Sequence, residues 1–219
     1  MQKAVVFDMD GVLFDSERIV SEIWEELGFL DGIPKEKMQN AIINCIGRNH
    51  NDTGIYFREN FGTSFDYVNF RKKAADRFHK KVDQNGLPVK EGAYLILEYL
   101  LESDYKTALA SSSSTKSIQK NLQRANMNHY FEVIVGGDTV EHSKPEPDIY
   151  IKACAELGVR PQDSIAIEDS PNGIKAAYFA GMKPIMVPDM VQPDKMIQTM
   201  LHQKFDTLIN VMEYLQNLK

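Results

Sequence analysis

Two aspartates one residue apart, Asp8 and Asp10, close an apolar run, Ala4-Val5-Val6-Phe7. The run reads as a buried strand, and side chains two apart on an extended segment share a face. Unless the chain bends between them, both carboxylates converge at the strand's carboxyl end. That edge is where open α/β sheets bind ligands. Gly11 then frees the backbone to turn. Two carboxylates held together repel, and a cation resolves the repulsion. The chemistry they suit is a divalent-metal site with one carboxylate left to attack. A calcium loop is a rival reading of Asp-x-Asp-Gly, but it requires glycine at its sixth position and glutamate at its twelfth. Counted from Asp8, those positions hold Leu13 and Ile19. A helix cap is the blander rival, yet a helix start does not usually follow directly on a β-type apolar run.

Later apolar runs also end in polar groups. Thr107-Ala108-Leu109-Ala110 leads into Ser111-Ser112, where a hydroxyl and exposed backbone N–H groups could hold a phosphate oxygen. Taken alone, a serine run is more often simply a turn. In Ser143-Lys144-Pro145-Glu146-Pro147-Asp148, Pro145 biases Lys144 toward an extended conformation, and Pro147 with Asp148 suits a helix start. Lys144 is therefore expected in a stiffened loop, where a fixed ammonium could neutralise a phosphoryl group or a carboxylate nucleophile; a loop lysine is ordinarily just solvated, but one braced by prolines is less usual. Ser164-Ile165-Ala166-Ile167 runs into Glu168-Asp169-Ser170. Oxygen ligands of this kind suit Mg²⁺, although Asp169 or Ser170 alone would serve as a helix N-cap. Four parts suited to one mechanism follow four apolar runs.

These residues need a scaffold that gathers them. Strand-like segments at 106–110, 133–135, 165–167 and 184–187 alternate with helix-like segments at 94–101, 115–125, 147–157, 172–180 and 193–201. A short edge strand is read at 207–209, before a final helix. Such alternation predicts an α/β fold with a parallel sheet and helices on both faces. Residues 17–84 read as all-helical. Ile19, Val20, Ile23, Trp24 and Leu27 have helix spacing with Gly28 as a stop. Further helices are read from Met38 to Ile46, around Ile55 to Phe57 with a stop at Gly62, and over 65–82, the last rich in base. The predicted organisation is a core of 1–16 and 85–219 with the helical module 17–84 inserted.

The chain has 219 residues, 43% hydrophobic and 26% charged, which is ordinary for a globular protein. Its net charge of -6, without long blocks of one sign, argues against nucleic acid as the main partner. Cys45 and Cys154 lack metal-ligand spacing and read as buried free thiols. No apolar run approaches the ~20 residues of a membrane span. The first strand begins almost at once, leaving no room for a signal peptide. A cytoplasmic monomer is expected.

Jointly, the strings Asp8-Met9-Asp10-Gly11-Val12-Leu13-Phe14-Asp15-Ser16-Glu17, Ser111 after its strand, Ser143 to Asp148, and Ile167-Glu168-Asp169-Ser170 with Gly173 resemble the four motifs of the haloacid dehalogenase superfamily of phosphohydrolases. The resemblance is to the branch with an inserted helical cap, similar to β-phosphoglucomutase and small-sugar-phosphate phosphatases. It implies a Rossmann-like sheet with the first strand central. It implies Asp8 as nucleophile forming an aspartyl phosphate and Asp10 as general acid and base. Mg²⁺ would be held by Asp8, the Asp10 carbonyl and Asp169, with Glu168 ligating directly or through water. Ser111, Ser112 and Lys144 would grip the phosphoryl oxygens. The cap would choose a small phosphorylated metabolite, with Arg48 as its candidate contact. The mutases of this branch carry a histidine about ten residues beyond the second aspartate, where this chain has Val20. A phosphatase is therefore the expected activity, a phosphosugar mutase the second, and a non-catalytic phosphometabolite-binding module the third.

Overall fold

The computed structural model describes residues 4–45 and 50–218. Arg48 lies outside them. Strand β1 (Ala4–Phe7) is buried along its whole length, as a strand covered on both faces must be. It pairs in parallel with β2 (Lys106–Ser111) on one side and β4 (Ser164–Glu168) on the other. β3 (Val133–Gly136), β5 (Lys183–Met186) and β6 (Gln203–Lys204) complete a six-stranded parallel sheet in the order β3-β2-β1-β4-β5-β6. This is a Rossmann-like α/β fold. Phe7 stands opposite both Leu109 and Ile167, so the chain leaves β1, β2 and β4 at a common level. That register brings Asp8, the Ala110–Ser111 end and Glu168 to one rim.

Parallel strands require crossovers, and helices supply them. They are α5 (Ala93–Leu101), α6 (Thr115–Arg124), α7 (Asp148–Leu157), α8 (Pro171–Phe179) and α9 (Lys195–Met200). Tyr150, Ala153, Cys154 and Leu157 of α7 pack with Ala176 and Ala177 of α8 over Val6, Ala108 and Ala166 of the sheet. The short strand expected at 207–209 is not there. Thr207 instead caps α10 (Leu208–Gln216), its hydroxyl accepting the Asn210 backbone N–H at 3.2 Å. Leu208, Val211 and Leu215 are buried at helical spacing. The edge strand is β6, four residues upstream of Leu208, where Gln203 pairs with Ile185. A threonine before an apolar segment serves a cap as well as a strand, and the period of that segment decides.

The chain divides into two compact units, Met1–Asp15 with Pro88–Lys219 and Ser16–Leu87. The second consists of α1 (Ser16–Leu30), α2 (Lys35–Cys45), α3 (His50–Phe61) and α4 (Tyr67–Asn85). Phe57 is fully buried at its centre, with Phe61, Tyr67, Phe65 and Trp24 rings 4.9–5.3 Å away. Gly28 does not stop α1, which runs on to Leu30. The missing Cβ admits the Met38 side chain, so the glycine serves close packing between α1 and α2. Two bases of α4 pair with acids of α1, Lys81 with Glu22 at 2.5 Å and Arg77 with Glu26 at 3.1 Å. Exposed pairs of this kind add little stability each. This unit holds a cavity of about 370 Å³ whose lining includes Val20, Trp24, Thr53, Tyr67, Arg71 and His79. Both cysteines are buried, and neither forms a disulfide. No described helix is long and apolar enough to cross a membrane.

Candidate active site

Asp8 prolongs the pairing of β1, donating its backbone N–H to the Ile167 carbonyl at 3.0 Å. Its side chain is thereby fixed at the rim and is 10% exposed. Lys144 arrives from the loop before α7 and uses all three ammonium protons. It donates to Asp8 Oδ1 at 2.5 Å, to Glu168 Oε1 at 2.6 Å and to the Ala110 carbonyl at 3.0 Å. The Lys144–Pro145 bond is cis. Glu168, the last residue of β4, is fully buried. Its Oε1 also accepts the Tyr150 hydroxyl at 2.6 Å. Its Oε2 accepts the Asp169 and Ser170 backbone N–H groups at 3.2 and 3.3 Å, and the Ser170 hydroxyl at 3.2 Å. Ser170, rather than Asp169, caps α8, accepting the Gly173 N–H at 3.1 Å.

The backbone bends after Asp8, and Gly11 at φ +81° closes a tight turn with its N–H on the Phe14 carbonyl at 2.8 Å. A Cβ on Gly11 would overlap the Asp169 carboxylate, and one on Gly173 would overlap that of Glu168. Both glycines therefore let acidic groups crowd onto this rim. The bend separates the contacts of the two aspartates. Asp10 Oδ2 accepts the Ser113 hydroxyl at 3.0 Å and that of Ser111 at 3.4 Å. Ser111 is fully buried, whereas Ser112 is exposed. Ser113 escaped the sequence reading. Its backbone N–H donates to Ser111 Oγ at 3.1 Å, which curls the serine run and turns its third member back toward Asp10. The i, i+2 spacing was the available signal, but in a run of four serines it singles out no member.

Burial drives the Asp8 carboxyl well above its ordinary range; Lys144 opposes this, while the Glu168 and Asp10 charges add to it. Burial works against the Lys144 ammonium, but Asp8 and Glu168 outweigh it and hold its pKa above the ordinary lysine value. Burial, then the Glu168 and Asp8 charges, push the Tyr150 phenol well above its usual value, so it stays a donor. Among the described residues, carboxylate oxygens of Asp8, Glu168 and Asp169 lie within 4.8 Å of one another. Three buried carboxylates beside one ammonium leave an excess of negative charge, and oxygen donors at this spacing fit a hard divalent cation.

The loop that carries Lys144 is pinned at its ends. The Asp148 carboxylate accepts the His142 backbone N–H at 3.2 Å and pairs with its imidazole at 3.0 Å. The hydrogen bond to Asp148 and then its charge hold the His142 pKa above 6.5, and the same bond keeps the Asp148 carboxyl low. A raised histidine contributes stability that is complete below its ordinary pKa and lost as pH rises through the raised value. A lowered carboxylate contributes stability that is lost as pH falls through the lowered value. Asp148→Asn is expected to bring the His142 midpoint down in an NMR titration of the ring carbons. An unchanged midpoint would show that the pair does not form in solution.

The family model described as haloacid dehalogenase-like hydrolase matches residues 5–187. A phosphorylated carbohydrates phosphatase of Thermotoga maritima is 32% identical over 185 residues, spanning 84% of this chain and 83% of that protein. A β-phosphoglucomutase of Bacillus subtilis is 29% identical over 222 residues, spanning 93% and 96%. The crystal structure of a hydrolase from Deinococcus radiodurans, described with bound phosphate and sodium, shares the fold at a TM-score of 0.80 and 24% identity, covering 99% of this chain and 96% of that one. The chain belongs to the haloacid dehalogenase-like hydrolases.

Proposed function

We propose that the chain is a Mg²⁺-dependent phosphatase that hydrolyses a small sugar phosphate through a phosphorylated Asp8. The observation that carries this reading is a single ammonium, Lys144, shared between the Asp8 and Glu168 carboxylates at one rim of the sheet. Phosphoryl transfer asks for positioning and charge neutralisation more than for elaborate covalent chemistry. Asp8, hydrogen-bonded through Oδ1 to Lys144, is placed to attack phosphorus and release the alkoxide. Asp10, held by the Ser113 and Ser111 hydroxyls, is placed to protonate that alkoxide. It then takes the proton of the water that frees Asp8, a role worth ~10²–10⁴-fold. Ser112 through its backbone N–H, Ser111 through its hydroxyl once that turns from Asp10, and Lys144 through the charge of its ammonium are the proposed grips on the phosphoryl oxygens. Asp8, Asp169 and the Asp10 carbonyl would hold the cation, with Glu168 beside them. When bound, the cation offsets the charges of the carboxylate and the phosphoryl group.

The T. maritima relative, named for phosphorylated carbohydrates, supports a sugar phosphate as substrate. The helical unit is the proposed source of substrate choice, and its cavity offers Arg71 and His79 among apolar walls. A mutase is the second reading, favoured by the B. subtilis relative's name. It is opposed by Val20, an apolar residue where the resembled mutases carry histidine. The test is a screen of sugar phosphates, nucleotides and acyl phosphates ranked by kcat/KM, with and without Mg²⁺. It includes β-glucose 1-phosphate with and without a bisphosphate activator. Phosphate release that stops on chelation and returns with Mg²⁺ is expected. Glucose 6-phosphate as the main product would favour the mutase, and no phosphate release from any substrate would overturn the proposal.

A further inference from the structure

Tyr150 belongs to none of the four motifs, yet it touches two of their residues. It lies in the first turn of α7, six residues after Lys144 in the chain, and its side chain is fully buried. A buried tyrosine needs a partner for its hydroxyl, and the partner here is Glu168 Oε1 at 2.6 Å. The ring lies beneath the Lys144 ammonium, 4.9 Å from nitrogen to centroid. One side chain therefore meets both members of the Lys144–Glu168 pair, through two different parts of itself.

We propose that Tyr150 is a positioning residue that acts through Glu168 to keep the Lys144 ammonium aimed at Asp8. Glu168 Oε1 receives two donors, Tyr150 and Lys144. With the phenol on one side of that oxygen, the ammonium is confined to the other, where a second proton reaches Asp8 Oδ1 at 2.5 Å. The remaining oxygen is tied by the Asp169 and Ser170 donors, so the carboxylate plane is fixed from both ends. Without the hydroxyl, Oε1 depends on Lys144 alone. The ammonium is then drawn toward Glu168 and away from the nucleophile and the phosphoryl group it faces. The ring adds a cation–π contact that phenylalanine would keep.

This inference rests on the phosphatase reading of the site, and the test separates the two. Tyr150→Phe keeps the ring and removes only the hydroxyl. It is expected to lower kcat on an aryl phosphate roughly tenfold, the size of one hydrogen bond to a charged group. KM is expected to move less than about twofold, because the aim of Asp8 and its ammonium matters most in the transition state, where the attacking and leaving oxygens must stand in line. Glu168→Gln supplies a second background. If Tyr150 acts through Glu168, Tyr150→Phe costs less than about twofold more there, since coupled sites are not additive. A merely structural role lowers the melting temperature and multiplies the loss equally in both backgrounds. Wild-type kcat in Tyr150→Phe, or the same tenfold loss in both backgrounds, would overturn the inference. Asp8→Asn runs alongside. If it stays active, the phosphatase site itself is misassigned and the inference falls with it. If it is dead while Tyr150→Phe is unaffected, only the inference falls.

Discussion

Asp8→Asn is expected to lower kcat by about 10⁴-fold or more while leaving the fold intact. Asparagine has nearly the same shape, and its amide oxygen can still accept the Lys144 proton that Asp8 Oδ1 accepts. It cannot attack phosphorus as an anion. Burial is the dominant influence on the Asp8 carboxyl and opposes its charge. Loss of that charge therefore removes a desolvation cost along with an attraction. Lys144 keeps Glu168 as its counter-ion. Phosphate release should vanish, and the melting temperature should hold within a few degrees or rise. A variant that keeps its activity would displace Asp8 from the role of nucleophile.

Lys144→Met should damage both chemistry and folding. Methionine fills similar volume but leaves the Asp8 and Glu168 carboxylates buried without the ammonium between them. Breaking a buried pair by removing one partner typically costs about 3–5 kcal/mol. The phosphoryl grip is lost as well, and removal of one such electrostatic donor costs about 10²–10³-fold in kcat. The pH dependence has a definite sign. Lys144 is the group that holds the Asp8 carboxyl down, so its removal lets that carboxyl move further up. A raised carboxyl takes up its proton more readily in the fold than in the unfolded chain. The instability of the variant should therefore shrink as pH falls through the raised value and be largest above it. In the parent protein the raised lysine keeps its contribution until pH exceeds the ordinary lysine range. Denaturant unfolding of both proteins across acid and neutral pH checks this. A gap between them that widens in acid would contradict it.

The sheet was legible because its strands are short apolar runs that end abruptly in polar residues. Ala4 to Phe7 and Ser164 to Ile167 can be buried on both faces, and the groups that follow them must then emerge at one rim. Asp8 and Glu168 are placed there by register alone, with Phe7 opposite Ile167. Lys144 was legible through its proline-braced loop, which gives a lysine a fixed backbone. Thr207 was misread because a β-branched residue before an apolar segment suits a strand start and a helix cap alike. Gly28 was misread because a glycine that admits Met38 looks the same in the sequence as one that ends a helix. Ser113 and Tyr150 were not legible for a different reason. Their partners lie far away in the chain, Asp10 in the turn after β1 and Glu168 at the end of β4, and a serine in a serine run or an aromatic on an amphipathic helix carries no mark of a distant contact.

The most direct test is to catch the phosphorylated enzyme. The protein is mixed with a sugar phosphate and Mg²⁺, quenched in acid within one turnover, and reduced with borohydride, which converts an aspartyl phosphate to homoserine. Peptide mass spectrometry then locates the change. The prediction is homoserine at position 8, dependent on both substrate and Mg²⁺ and absent from Asp8→Asn. Full turnover with Asp8 unmodified at every quench time, or a phosphoryl group found on Ser111 instead, would contradict it.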